Sequence, residues 1–203
     1  MTAEFVHIVD DDAAVRDALR WLLTSVGREV KCYGSAEAFL ESGGEAAPGV
    51  LVLDIRMEGM SGLELFRKLK EAGSALPVIF LTGHGDVPLA VDAIKSGAFD
   101  FLEKPFDDHE FVKIVERALI AGRKLRRATE QTGEIVRRLQ SLSAREMQVM
   151  ELMVTGRANK VIAAELDIAI RTVEVHRARI LTKMGVKTAV ALSAVLSSVQ
   201  GKD

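Results

Sequence analysis

The chain has 203 residues, a net charge of −2 and one cysteine, which bounds it at one or two domains, excludes an internal disulfide and fits a reducing cytoplasm. No apolar run approaches the roughly 20 residues that a bilayer span requires, and the polar amino terminus carries no signal-peptide pattern. The small net charge hides an asymmetry: residues 1–122 carry 12 Lys+Arg against 21 Asp+Glu, or −9, while residues 123–203 carry 15 against 8, or +7. Such halves suit different partners, and the basic one is a candidate for nucleic acid, although solvated helices are often Lys/Arg-rich for no further reason.

In chain order, Phe5-Val6-His7-Ile8-Val9 runs into Asp10-Asp11-Asp12. A helical pattern over Ala13–Val26 follows, with Val15, Leu19, Leu22, Leu23 and Val26 at helical spacing and Asp12 as its expected N-cap. The lone cysteine, Cys32, lies in strand-like Glu29–Tyr33 and reads as a half-buried residue rather than a catalytic thiol. Helices are expected at Ser35–Ser42, Gly62–Ala72, Val87–Ser96 and Asp107–Ala121, with Gly27, Gly43, Gly73 and Gly97 where helices should stop. Between them Val50–Leu53 runs into Asp54, Val78–Leu81 into Thr82, and Phe99–Leu102 is followed by Lys104-Pro105. Short apolar runs alternating with helices read as buried parallel strands, and five such units predict a doubly wound sheet ordered 2-1-3-4-5. Ligands of such sheets bind at the carboxyl ends of the strands, so Asp10, Asp11, Asp54, Thr82 and Lys104 should meet at one edge. Three carboxylates there repel unless a cation joins them; oxygen-only ligands suit a hard ion such as Mg²⁺, and Lys104 suits a phosphate.

These residues, in the strings Val9-Asp10-Asp11, Asp54-Ile55-Arg56-Met57 with Gly59-Met60-Ser61-Gly62, Thr82-Gly83-His84-Gly85-Asp86-Val87-Pro88 and Lys104-Pro105-Phe106, resemble the receiver domain of bacterial two-component response regulators. The Gly-His-Gly-Asp-Val-Pro stretch is similar to the FixJ-like subgroup. The resemblance implies that Asp54 accepts a phosphoryl group from a sensor histidine kinase. It further implies that Asp11 and Asp54 bind Mg²⁺ (Mn²⁺ being the alternative) directly, Asp10 does so through water, and the carbonyl of Arg56 completes the set. Lys104 would bind a phosphoryl oxygen, and Thr82 and Phe101 would be the switch pair, although Phe101 alone reads as an ordinary core aromatic. Glu58 stands where the family usually has proline, which adds a negative charge near the site and is expected to free the loop. Trp21 lies on the helix face that docks the kinase in this family, yet a lone tryptophan is more often core.

From Ile114 onward small or apolar residues recur at 118, 121, 125, 128, 132, 135, 139 and 142, a 4-3 spacing that predicts a weak helical seam. A continuous helix over 114–142 is the expectation, against a solvated, partly ordered linker. Ser143-Ala144-Arg145-Glu146 is a capping box opening a helix that should bury Met147, Met150 and Val154. Gly156 should end it, and Asn159 should cap the next helix, Lys160–Leu166. A turn through Asp167–Ile170 leads to an Arg-rich helix Arg171–Met184, and an Ala-rich helix Thr188–Val199 closes the chain. Two helices joined by a short turn, the second rich in Arg, make a helix-turn-helix.

Leu142-Ser143-x-Arg145-Glu146, Gly156, Asn159-Lys160-x-Ile162-Ala163, Leu166-x-Ile168, Thr172-Val173-Glu174-Val175-His176-Arg177 and Lys183-Met184 resemble the LuxR-type DNA-binding domain. One departure is Ala169, where the family usually has the serine that caps the recognition helix. Helical geometry turns Val173, His176, Ile180 and Met184 inward and presents Arg171, Glu174, Val175, Ala178, Arg179 and Thr182 outward. By resemblance Glu174, Val175 and Ala178 are base-edge positions, Thr172 lies in the same interface, and Arg171, Arg177, Arg179 and Lys183 contact phosphates. The last helix resembles the family's dimerisation helix.

The expected architecture is an α/β flavodoxin-like (βα)5 receiver domain over 1–122, a helical linker over 123–140, and an all-α LuxR-type four-helix domain over 141–203. The expected function is a phosphorylation-controlled transcription regulator. It would be a homodimer when phosphorylated, with a sensor kinase, double-stranded DNA and RNA polymerase as partners and no membrane. A Mg²⁺-dependent phosphohydrolase with Asp54 as nucleophile would need a substrate cap that the chain lacks. An RNA-binding antiterminator is disfavoured by the Asn159-Lys160 and Thr172-Val173 strings.

Overall fold

The computed structural model describes residues 4–46, 48–83 and 87–200, so His84, Gly85 and Asp86 of the Gly-His-Gly-Asp-Val-Pro string lie outside the described residues. The chain divides into two compact units, Met1–Arg126 and Arg127–Asp203.

The first unit is a five-stranded, wholly parallel sheet built from β1 (Phe5–Val9), β2 (Glu29–Tyr33), β3 (Gly49–Asp54), β4 (Val78–Thr82) and β5 (Asp100–Glu103), in the order β2-β1-β3-β4-β5. This is the expected flavodoxin-like order. Helices α1 (Ala13–Ser25), α2 (Ala36–Glu41), α3 (Gly62–Glu71), α4 (Val87–Lys95) and α5, which starts at Asp108, alternate with the strands. Strand side chains alternate between faces, and β3 shows the result. Val50 and Val52 join Ile8, Leu23, Phe111 and Val115 in one core layer, whereas Leu51 and Leu53 join Phe39, Leu65 and Phe80 in the other. A sheet covered on both faces explains why the strands read as continuous apolar runs.

Local signals set the element ends. Asp12 caps α1 by accepting the N–H of Ala14 at 2.8 Å, and Ser61 and Glu64 form a full capping box at α3. Gly62 is required by packing: a Cβ there would lie 2.0 Å from the carbonyl oxygen of Asp54. The start of α3 can therefore close on the end of β3 only through a glycine. Trp21 overturns the core reading, since it is 75% exposed.

Helix α5 runs unbroken over Asp108–Gln140, so the helix expected at Asp107–Ala121 carries on through 123–140, in line with the continuous helix expected from the 4-3 spacing. No proline after Pro105 interrupts it. Phe111, Ile114, Val115, Ala118 and Leu119 are buried against the sheet, while Ile135 and Leu139 pack on the core of the second unit.

The second unit holds α6 (Ala144–Val154), α7 (Asn159–Glu165), α8 (Ile170–Met184) and α9 (Ala189–Gln200). The capping box at Ser143 and Glu146 is present. Three expectations need correction. The core face of α6 is Val149, Met150 and Met153, with Met147 and Val154 only partly buried, because the buried stripe lies one position round from the one read from sequence. Asn159 is the first residue of α7 rather than its cap; Ala158 holds the cap position and makes no side-chain bond. Helix α8 begins at Ile170, one residue ahead of the expected Arg171, and Ala169 at its cap position makes no side-chain bond. Thr188, by contrast, precedes α9 and accepts the N–H of Ala191 at 3.1 Å. Among the described residues no single helix is long and apolar enough to cross a membrane.

Candidate functional site

The carboxyl ends of β1, β3 and β5 place Asp10, Asp54 and Lys104 together. Asp10 is 1% exposed and Asp54 8%. The Lys104 ammonium donates to Asp54 Oδ1 at 2.6 Å and to Asp10 Oδ2 at 2.9 Å. These are short, charge-assisted bonds, and one ammonium between two carboxylates offsets the repulsion that would otherwise open the site. Burial pulls the Lys104 pKa down, but its bonds to Asp54 and Asp10 outweigh burial and hold it above the ordinary lysine value. Burial is also the largest influence on Asp54 and raises its pKa against the opposing pull of Lys104.

The remaining oxygens are held by backbone. Asp10 Oδ1 accepts the N–H of Asp12 at 2.9 Å, and Asp54 Oδ2 accepts that of Arg56 at 2.8 Å. Asp11 Oδ2 accepts the N–H of Glu58 at 3.0 Å. Glu58 therefore does not free its loop; its main chain ties the loop to Asp11. Thr82, fully buried, donates from Oγ1 to the carbonyl of Gly83 at 3.1 Å, a local bond that leaves Asp54 to its other partners. Phe101, one residue into β5, is half-buried against the Phe80 core layer. The donor set fits a hard divalent cation by its chemistry, all carboxylate and carbonyl oxygen. Among the described residues no three acidic, imidazole or thiol groups stand together as a ready ligand set.

Two supporting side chains had no sequence signal strong enough to single them out. Arg16, one turn into α1, donates to the carbonyl of Asp10 at 2.7 Å, and Glu37 on α2 accepts the N–H of Met60 at 3.0 Å. Both act on backbone, which leaves no characteristic residue pair to read.

In the second unit, Val173, Ile180 and Met184 are buried and His176 is half-buried, so the inward face of α8 falls where its period places it. Arg171, Thr172, Glu174, Val175, Ala178 and Arg179 are exposed, and Arg177 is half-buried. Lys183, expected among the phosphate contacts, is exposed too, but its ammonium already has partners within the unit. Its ammonium donates to Glu146 Oε2 at 2.7 Å and to the carbonyl of Ser141 at 2.9 Å, which fastens the end of α8 to the start of α6. Glu146, 4% exposed, is held at a pKa of about 2 by Lys183 and by the Ser143 N–H. Reading Glu146 as part of a capping box at a buried helix start could have indicated that a cation must meet it.

Residues 6–116 match the family model of the response regulator receiver domain, and residues 140–196 match that of the bacterial regulatory proteins of the luxR family. The chain is a two-component response regulator of the FixJ-like type. The transcriptional regulatory protein FixJ of Rhizobium meliloti is 49% identical over 191 residues, covering 93% of this chain and 92% of that one. FixJ of Azorhizobium caulinodans is 50% identical over 179 residues, covering 88% and 85%. Among solved structures, the response regulator StyR superposes with a TM-score of 0.90 at 41% identity, covering 97% of this chain and 99% of that one. This response regulator therefore joins a receiver unit to a helix-turn-helix unit of the DNA-binding type, and its relatives are transcriptional regulators.

Proposed function

We propose that Asp54 is the phosphoacceptor through which a sensor histidine kinase controls dimerisation and sequence-specific DNA binding. The observation that carries this reading is the Lys104 ammonium held between Asp54 and Asp10 at the strand ends, in a chain that also bears a helix-turn-helix. An Asp54 carboxylate oxygen attacks phosphorus in line as the bond from phosphorus to the donor breaks. Lys104 then follows a phosphoryl oxygen, and Thr82 turns Oγ1 from the Gly83 carbonyl to another, leaving space into which Phe101 moves. Mg²⁺, held by Asp11, Asp54, the Arg56 carbonyl and, through water, Asp10, would neutralise charge on the transferring group. A groove of about 500 Å³ between α1 and the Lys104–Phe106 segment, walled by Val15, Leu22 and exposed Trp21, supports docking of the kinase there.

At the second unit, Glu174, Val175 and Ala178 would read base edges while Thr172, Arg171, Arg177 and Arg179 position the helix on the duplex. The domain assignment follows as receiver over 1–122, helical linker over 123–140 and DNA-binding domain over 141–203. The working form is a phosphorylated homodimer in the cytoplasm that acts on RNA polymerase at promoters. Acetyl phosphate with Mg²⁺, followed by borohydride trapping and mass spectrometry, should label Asp54 alone. Label retained at another aspartate in Asp54→Asn would defeat the assignment.

A further inference from the structure

The loop that follows Asp54 donates alternate backbone amides to carboxylates from three separate segments of the chain. Arg56 N–H goes to Asp54 Oδ2 at 2.8 Å, Glu58 N–H to Asp11 Oδ2 at 3.0 Å, and Met60 N–H to Glu37 Oε1 at 3.0 Å. Gly59, at φ +76°, makes the bend between the last two, and a Cβ there would lie 3.2 Å from the Glu37 oxygen that Met60 engages. The middle bond exists only because position 58 is not proline, which has no N–H. It falls on Asp11, a residue that the phosphoacceptor reading makes a direct cation ligand.

We propose that the Glu58 main-chain N–H is a latch on Asp11 that competes with a divalent cation for that carboxylate. An exposed carboxylate beside two others needs positive partners, and without a cation the amide dipole supplies one. Taking Asp11 into a ligand set through Oδ2 withdraws that oxygen from the amide, so the loop loses its middle anchor, while the Met60 anchor, on a carboxylate outside the ligand set, remains. Cation binding is thereby weakened by the latch and coupled to freedom at Glu58 and Gly59, beside the phosphoacceptor. The Glu58 side chain acts in the opposite sense, since its negative charge attracts the cation. The amide and the side chain are therefore separable: Glu58→Ala removes the charge and keeps the N–H, whereas Glu58→Pro removes both.

This inference rests on the cation-dependent reading of Asp54, and the test separates the two. Titration of the full chain with MgCl₂ by calorimetry should give a lower dissociation constant for Glu58→Pro than for Glu58→Ala. The expected ratio is about tenfold, the worth of one hydrogen bond to a charged group at the low end of its range. Equal constants, or a weaker Glu58→Pro, would overturn the latch. A wild-type chain that takes up no Mg²⁺ would instead overturn the reading beneath it. Amide exchange in the unmutated chain gives a second measurement that needs no variant to fold. The Glu58 amide should exchange faster on adding MgCl₂ while the Met60 amide does not, and an unchanged Glu58 amide would refute the proposal.

Discussion

His7 shows how far a single side chain departs from its sequence appearance. It sits in β1 where an apolar residue would do, fully buried, stacked on Tyr33 and edge-on to Phe39. Its Nδ1 lies 3.3 Å from the Tyr33 hydroxyl, and its Nε2 has no partner. Burial, helped by the charge of Lys31, pushes its pKa from 6.5 down to about 4. Between those values the unfolded chain binds a proton that the folded chain refuses, so the unfolded state carries more protons and stability falls as pH falls. The loss begins near pH 6.5 and is complete near pH 4. Urea unfolding of the receiver unit across that window should show the decline in the wild type and a flatter profile in His7→Phe, which keeps the ring contacts and removes the titration. The same slope in both chains would place the acid sensitivity elsewhere. No sequence pattern singles out His7, because a buried imidazole and a buried aromatic occupy the same place in a period-two strand.

At the scale of elements, the recognition helix α8 is weakly started and firmly ended. Ala169 leaves its first turn without a side-chain cap. At the other end Lys183 is bonded to Glu146 and Ser141, and the Arg138 guanidinium donates to the Met184 carbonyl at 2.9 Å. Gly185 ends the helix at φ +70°, a left-handed conformation that L side chains rarely adopt, so this exit is built around a residue with no side chain. Two substitutions should move stability in opposite directions. Ala169→Ser should add ~1 kcal/mol through a restored cap, and Lys183→Met should remove about 1–2 kcal/mol by leaving the Glu146 carboxylate without its cation. In thermal melts of the second unit either change is a shift of several degrees, roughly 4–8 °C per kcal/mol for a domain this size. A Lys183→Met chain that melts like the wild type but binds DNA less tightly would return Lys183 to the phosphate contacts. The strand order, the strand-end placement of Asp10, Asp54 and Lys104, and the Ser143–Glu146 capping box were legible because each rests on short-range periodicity or a local residue pair. The start of α7, the buried stripe of α6 and the Lys183–Glu146 pair were not. Each depends on which residues from distant segments arrive at the same place.

At the scale of the whole molecule, the charge division sets how the chain meets DNA. The net charge of −2 makes its long-range field weakly repulsive to a polyanion, yet the exposed Arg171 and Arg179 and half-buried Arg177 of α8 lie in a half that carries +7 against the −9 of the receiver half. Attraction to DNA is therefore a property of the second unit, and the acidic unit on the same chain lowers it. Counterion release ties the strength of such attraction to salt, and screening removes it beyond about 10 Å at 0.1 M ionic strength. A fragment over 127–203, which carries 12 Lys+Arg against 8 Asp+Glu, or +4, and has its own buried core, should associate with random-sequence duplex faster than the full chain at low salt. The two rates should converge as ionic strength rises toward about 1 M, where the screening length is ~3 Å. Stopped-flow association over a salt series measures both. A fragment no faster than the full chain at low salt would show that the receiver half does not oppose the approach to DNA. A difference that persists at high salt would point to a cause other than charge.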